Sequence, residues 1–233
     1  MIEIVFWVSL ALIAYTYFGY PATLYLISWF RQNPVSPRSG RPTVSFIIAA
    51  YNEGDGIGEK IKNTLALDYP SEDREIIVAS DGSTDNTNDI VANYKSSGVR
   101  LVALRERKGK EWAQWAAIQV ATGEILVFSD VATLIEKNSL LHIVSNFQDP
   151  TIGCVSSEDR ILRETSMTEG EGFYVEYEMF LRQLESQVNS LVGLSGSFFA
   201  ARRKLCLDWS LDKDNDFIMA FHVVKKGYRS VTD

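Results

Sequence analysis

Val44-Ser45-Phe46-Ile47-Ile48-Ala49, Ile76-Ile77-Val78-Ala79 and Ile125-Leu126-Val127-Phe128 are short, almost wholly apolar runs, and each is followed by polar residues. A strand buried on one face alternates apolar and polar side chains. A continuous apolar run needs cover on both faces, which parallel strands with helices above and below provide. A fourth run, Val99-Arg100-Leu101-Val102-Ala103-Leu104, is mixed. Helical patterns lie between the runs. Ile57, Ile61 and Leu65 share a face, Thr84 or Asp85 can cap a helix running to about Tyr94 and ending near Gly98, and Glu111 to Ala121 closes at Thr122-Gly123. This alternation predicts an α/β fold: a Rossmann-like, mostly parallel sheet flanked by helices, with right-handed crossovers and a ligand beyond the carboxyl ends of the strands.

After Asp130 the pattern changes. A helix carries Leu140, Leu141, Val144 and Phe147, and a strand follows near Ile152 to Ser156. A longer helix aligns Phe173, Tyr177, Phe180, Leu184, Val188 and Leu191 on one face. Its aromatic part reads as core, or as a surface against a membrane, ahead of a sugar-stacking platform. Glu178, Arg182 and Glu185 form an i, i+3/i+4 surface set on it. Gly196 to Ala201 reads as a strand and Asp216 to Lys226 as a helix before Gly227.

Composition bounds the function. The 233 residues carry 23 Lys+Arg against 30 Asp+Glu, a net charge of −7, which excludes a basic surface built for nucleic acid. Two cysteines, Cys154 and Cys206, are too few for a disulfide framework or a Cys-ligated metal site and read as small buried hydrophobes. His142 and His222 sit in helical patterns with no matching partner for metal ligation.

From Ile4 to Phe30, 27 residues contain no Asp, Glu, Lys or Arg. As a helix this reaches about 40 Å, more than the roughly 30 Å hydrocarbon core. Phe6 and Trp7 at one end and Trp29 and Phe30 at the other match interfacial belts, and Pro21 with Gly19 predicts a kink. The start Met1-Ile2-Glu3 lacks the positive charge of a cleaved signal. Residues 1–31 are therefore expected to be a membrane anchor, 32–42 a Pro/Gly linker and 43–233 one domain. Arg31, Arg38 and Arg41 follow the span while only Glu3 precedes it, so the domain is expected on the cytoplasmic face of an inner or plasma membrane, in contact with membrane lipid.

Polar clusters follow three strand ends: Tyr51-Asn52-Glu53, Asp81-Gly82-Ser83-Thr84-Asp85 and Asp130. Adjacent strand ends would gather these carboxylates into one crevice, suited to a divalent metal or to hydrogen bonds from a base or ribose. Lys108 and Lys110 supply local positive charge. As turn residues, Asp81 and Asp85 have a structural reading too. Gly54-x-Gly56-x-Gly58 has the wrong spacing for a dinucleotide fingerprint, and no Walker lysine motif occurs.

Pro42 to Glu53, Leu67-Asp68-Tyr69-Pro70, Glu75 to Thr87, Gly109-Lys110, Thr122 to Asp130, Ser195 to Arg203, and Asp216-Phe217 with Lys226-Gly227-Tyr228-Arg229 follow one another in order. Together they resemble glycosyltransferase family 2 over about residues 42 to 233. The resemblance implies a GT-A fold and a membrane-anchored enzyme like the polysaccharide and glycolipid synthases. It implies inverting transfer of a hexosyl or N-acetylhexosaminyl group from a nucleotide-sugar, commonly UDP-linked, to a carbohydrate or lipid-linked acceptor. It further implies that Ala50, Tyr51 and Glu53 contact the nucleotide, Asp81 binds the base, Lys110 lines the donor site, Asp130 lies near ribose and metal (Mg²⁺ or Mn²⁺), and Asp216 is the general base. A sugar hydroxyl is a poor nucleophile, and the leaving diphosphate accumulates charge, so a base and a cation are both needed.

The chain departs from the family pattern at several points. Asp130-Val131-Ala132 lacks the second acid of D-x-D, and Trp115 stands where an Asn is frequent. The sequence given ends at Asp233 without the Gln-x-x-Arg-Trp motif of processive members. The expectation is a C-terminally truncated piece of such an enzyme, or alternatively a catalytically impaired GT-A domain that binds nucleotide-sugar or a protein partner without transfer.

Overall fold

The computed structural model describes residues 1–35, 41–158, 169–209, 211 and 215–233. Residues 36–40 of the expected linker, with Arg38, and the acidic neighbours Asp212 and Asp214 lie outside them. Among the described residues, seven strands form one sheet in the order β3-β2-β1-β4-β6-β5-β7. They are β1 (Val44–Ala50), β2 (Arg74–Ser80), β3 (Val99–Ala103), β4 (Ile125–Asp130), β5 (Ile152–Ser156), β6 (Phe198–Arg202) and β7 (Arg229–Thr232). β1, β2, β3 and β4 pair in parallel, β6 runs antiparallel to β4 and β5, and β7 is parallel to β5. The chain winds outward from β1 to β3 and then returns to β4 on the other side of β1. The sheet therefore has its switch point between β1 and β4.

Helices cover both faces. One face of the sheet presents Phe46, Ile48, Val78, Val127 and Val155 to α3 (Ile57–Leu65), α4 (Thr87–Ala92) and α6 (Ser139–Ser145). The other presents Ile47, Ile77, Leu126, Phe128 and Phe199 to α5 (Lys110–Val120), α8 (Arg203–Cys206) and α9 (Asn215–Lys225). Phe128 stacks between Phe199 and Trp209, at 4.8 and 4.9 Å. Both cysteines are buried in this second layer, and burial pushes both thiols above their ordinary range, so they stay protonated. Trp115 packs against the same layer and edge-on to Trp112, so here the residue that replaces the frequent Asn is packing material.

The N-terminal 29 residues from Ile2 to Phe30 are one helix, long and apolar enough to cross a membrane. Its two α-helical parts, α1 (Ile2–Ala14) and α2 (Tyr20–Phe30), are joined by a π-helical turn, Tyr15–Gly19. The expected Pro21 disturbance is thus taken up one turn earlier as a widened turn. Pro21 brings no N–H for the Tyr17 carbonyl four residues back, and the Tyr177 hydroxyl donates to that carbonyl at 2.8 Å. Tyr177 belongs to α7 (Glu169–Val188), which lies along α2. Pro21, Leu24 and Ser28 are buried there, while Ile2 to Phe18 stay exposed. Tyr20 also donates to Glu185 at 2.7 Å. Glu185 is thereby drawn out of the surface set with Arg182, which among the described residues forms its ion pair with Glu178, at 2.7 Å. The aromatic part of α7 is not core. Phe173 and Tyr174 are 72% and 61% exposed, because only from Leu184 onward does this face turn toward the domain interior.

At the amino ends of the strands Glu75 holds three segments together. It accepts hydrogen bonds from the Ser45 hydroxyl at 2.5 Å and from the N–H and hydroxyl of Thr122 at 2.6 and 2.9 Å. Burial raises its carboxyl pKa, but these hydrogen bonds outweigh burial and hold it below the usual 4.5. Because the folded-state value is the lower one, the stabilisation is full above 4.5 and is lost as pH falls through the folded value. Urea melts down an acid series test this. Glu75→Gln is expected to be less stable than wild type at neutral pH, and to lose less of its remaining stability below pH 4.5. A second test is truncation. Removing residues 1–19 leaves α2 on α7, whereas removing 1–31 strips the buried Leu24 and the Tyr20–Glu185 bond. The longer deletion is expected to melt about 4–8 °C lower by calorimetry, the equivalent of about 2 kcal/mol.

Candidate active site

Register brings the site's strand ends level: Ala50 pairs with Ser80, and Ala49 with Asp130. Three loops leave this edge side by side. In the first, Ala50 is buried, and its carbonyl accepts the Asp81 N–H at 2.9 Å. Tyr51 lies under the Arg107 guanidinium, 4.1 Å from its ring centre. Asn52 is the one non-glycine at positive φ (52°) among the described residues. Its side chain stabilises that strained position by accepting the Thr84 N–H at 2.8 Å. Glu53 is half-buried; its carbonyl accepts the Gly56 and Ile57 N–H groups that open α3, and its N–H donates to Thr87 at 2.8 Å.

In the second loop Asp81 is 4% exposed, and both its oxygens accept backbone N–H groups, from Lys108 at 2.7 Å and Gly109 at 2.8 Å. The sequence expected a base-binding carboxylate or a turn residue. In the structure this side chain clamps the loop between β3 and α5. Gly82 permits the clamp, because a Cβ there would stand 2.5 Å from the Arg107 nitrogen. Asp85 accepts from Thr87 and from the Gly54 N–H and so has the turn role, whereas the N-cap of α4 is Asn86 rather than the expected Thr84 or Asp85.

Lys110 begins α5 at the end of the clamped loop. Its ammonium lies 2.5 Å from an Asp130 carboxylate oxygen at the end of β4 and donates to the Gly196 carbonyl at 3.2 Å. Asp216, half-buried in the first turn of α9, approaches Gly196 so closely that a Cβ there would meet its Oδ2 at 2.5 Å. A small cavity of about 120 Å³ is lined by Lys110, Glu111, Gln114, Gly196, Asn215 and Asp216, with Phe199 at its floor. A groove of about 890 Å³ runs on the other side of Ser197, past Ala132, His142, Phe198 and Thr232. Asp81, Asp130 and Asp216, far apart in sequence, thus converge on the corner formed by Lys108, Gly109 and Lys110.

The model of glycosyl transferase family 2 matches residues 45–209. The chain belongs to this family. The poly-β-1,6-N-acetyl-D-glucosamine synthase of Staphylococcus aureus strain MSSA476 is 28% identical over 195 residues, covering 80% of this chain and 47% of that protein. The chain therefore spans about half the length of the curated relatives it matches. Among solved structures, the mannosyltransferase PcManGT from Pyrobaculum calidifontis, in complex with GDP-Man and Mn²⁺, superposes with a TM-score of 0.81 at 30% identity, over 96% of this chain and 65% of that one. S. aureus TarS 1–349 in complex with UDP-GlcNAc, at 18% identity and a TM-score of 0.62, covers 82% of this chain and 56% of that one and shares the fold.

Two features of this family 2 site bear on charge. Ala132, where the pattern has its second acid, is exposed and carries no donor atom. Among the described residues no three His, Cys, Asp or Glu side chains form a metal-binding group. The donor set is one carboxylate, Asp130, which suits a divalent cation only together with phosphate oxygens and water. The second feature is Lys60, which the sequence reading passed over. It is 1% exposed, and its ammonium donates to Ser129 Oγ at 2.7 Å and to the Thr133 carbonyl at 2.6 Å. Burial pushes its pKa down to about 7, against the opposing pull of Asp130. The signal was present: Lys60 falls in the apolar stripe of Ile57 and Ile61, where a charge is out of pattern.

Gly196→Ala probes the Asp216 approach. The atom it would displace is the free end of a carboxylate, so the fold should survive. The expected result is an unchanged melting temperature with donor turnover reduced about 10²-fold, measured side by side.

Proposed function

We propose that the chain is the donor-binding and catalytic part of a membrane-anchored inverting glycosyltransferase. It transfers a hexosyl or N-acetylhexosaminyl group from a UDP-sugar to a carbohydrate or lipid-linked acceptor at the cytoplasmic membrane face. Residues 1–31 act as the anchor, 32–42 as the linker and 43–233 as the GT-A domain. The observation that carries the reading is Lys110, whose ammonium joins Asp130 at the switch point to the Gly196 carbonyl beside Asp216. The synthase names of the relatives support a polysaccharide acceptor.

In this reading Ala50, Tyr51 and Glu53 line the nucleotide pocket, while Asp81 faces the base and holds the loop that delivers Lys110. Lys110 meets the donor diphosphate and releases Asp130 to it. Asp130 would hold a Mg²⁺ or Mn²⁺ ion together with the diphosphate; when bound, such a cation neutralises charge on the leaving group. Asp216 accepts the proton of the acceptor hydroxyl as that oxygen attacks the anomeric carbon from the face opposite the diphosphate.

Ala132 favours a second reading, a domain that binds nucleotide-sugar or a protein partner without transfer. Calorimetry with UDP, with and without Mn²⁺, together with a donor-turnover assay, separates the two. The enzyme reading expects metal-dependent binding, and turnover that Asp216→Asn lowers by about 10²- to 10⁴-fold while leaving UDP affinity intact. Binding with no turnover in the wild type establishes the second reading.

A further inference from the structure

Lys60 is a charge buried in a position that packing alone would give to an aliphatic residue. Its neighbours on the inner face of α3 are Ile57, Ile61 and Thr64, and its ammonium passes 5.8 Å from the Phe46 ring. Removing an ammonium from water is costly unless its donors are satisfied. Those donors are spent on one place. Ser129 precedes Asp130 and Thr133 follows it, so the two acceptors bracket the carboxylate at the end of β4. One turn further along α3, the Asn63 side chain grips the same segment. Its amide nitrogen donates to the Ile135 carbonyl at 2.9 Å, and its oxygen accepts the Ile135 N–H at 3.0 Å. From Asp130 to α6 the segment has no regular structure apart from turns at Val131-Ala132 and Lys137-Asn138. Side chains of α3 thus supply much of what fixes it.

We propose that Lys60 is a positioning residue for the donor diphosphate: from beneath, it pins Ser129 and Thr133 so that Asp130 is presented at a fixed height in a subsite that lacks the second acid. The two lysines then have different tasks. Lys110 reaches Asp130 from the open side, and Lys60 holds its backbone from the closed side. This inference rests on the proposed donor-binding function and deepens it.

A residue that only stabilises the fold would, when replaced, weaken every ligand alike. A residue that sets the diphosphate subsite weakens the diphosphate and spares the nucleoside. The test therefore compares UDP, titrated calorimetrically in the presence of Mn²⁺, with uridine, titrated by NMR, on the full chain in detergent. Lys60→Met is expected to bind UDP about tenfold or more weakly, with uridine affinity within about twofold of wild type. Ser129→Ala, which removes one partner and keeps the lysine, is expected to give the same selective loss to a smaller degree. It carries the test if Lys60→Met does not fold. A folded variant with wild-type UDP affinity, or with equal losses for UDP and uridine, overturns the inference. A wild-type chain that binds neither UDP nor GDP overturns the proposed function and this inference together, whereas wild-type binding untouched by both substitutions overturns the inference alone.

Discussion

Both oxygens of the Asp81 carboxylate are held by consecutive backbone N–H groups, and the geometry of the cleft follows from that clamp. A buried carboxylate must be hydrogen-bonded, and here the donors come from the loop that leads into α5. Satisfying Asp81 therefore fixes where Lys110 begins its helix. From that point a lysine side chain is long enough to reach the end of β4 and the backbone before β6. One polar requirement at the end of β2 thereby ties together parts of the chain contributed by β3, β4, β6 and α9. The backbone allows it because Gly82 and Gly109 both adopt positive φ, at 66° and 108°.

Much of this was legible in the residues. The unbroken apolar character of Phe46 to Ala49 and Ile76 to Ala79 announces burial on two sides, and both strands lie in the parallel half of the sheet with helices above and below. The carboxylates after β1, β2 and β4 could be assigned to one crevice because parallel strands end at one edge. The aromatic stretch Phe173 to Phe180 was harder, since periodicity reports that a helix has an apolar face and not what covers it. Lys60 was missed for a related reason. A pattern search tallies the apolar positions of a stripe and steps over the polar exception, although a polar exception in a buried stripe is where a site-directed hydrogen bond is made. The pairing of Glu185 with Tyr20 spans 165 residues and leaves no local trace.

The chain as a whole carries a net charge of −7, and under the proposed function the cleft must nonetheless accept an anionic donor. The site meets this by interleaving signs at short range. Lys110 stands against Asp130, Arg107 covers Tyr51, Lys108 lies over Trp112, and Lys60 is below the β4 end. Local fields at a few ångströms outweigh the distant surface charge, which solvent and salt screen over about 10 Å. Replacing an acid with Ala132 moves the same balance in the same direction.

The π-helical turn at Tyr15–Gly19 is a small irregularity, yet it decides how the domain is carried. With the carbonyl of Tyr17 bound by Tyr177 and the next helical turns seated on α7, the chain does not leave the apolar segment as a slack leash. It leaves as a bracket. Under the proposed anchoring, such a bracket sets tilt and height together and holds the mouth of the cleft at one constant distance from the lipid headgroups. A flexible tether would let the catalytic body wander and search for its acceptor, whereas a rigid mount obliges the acceptor to arrive at a fixed address.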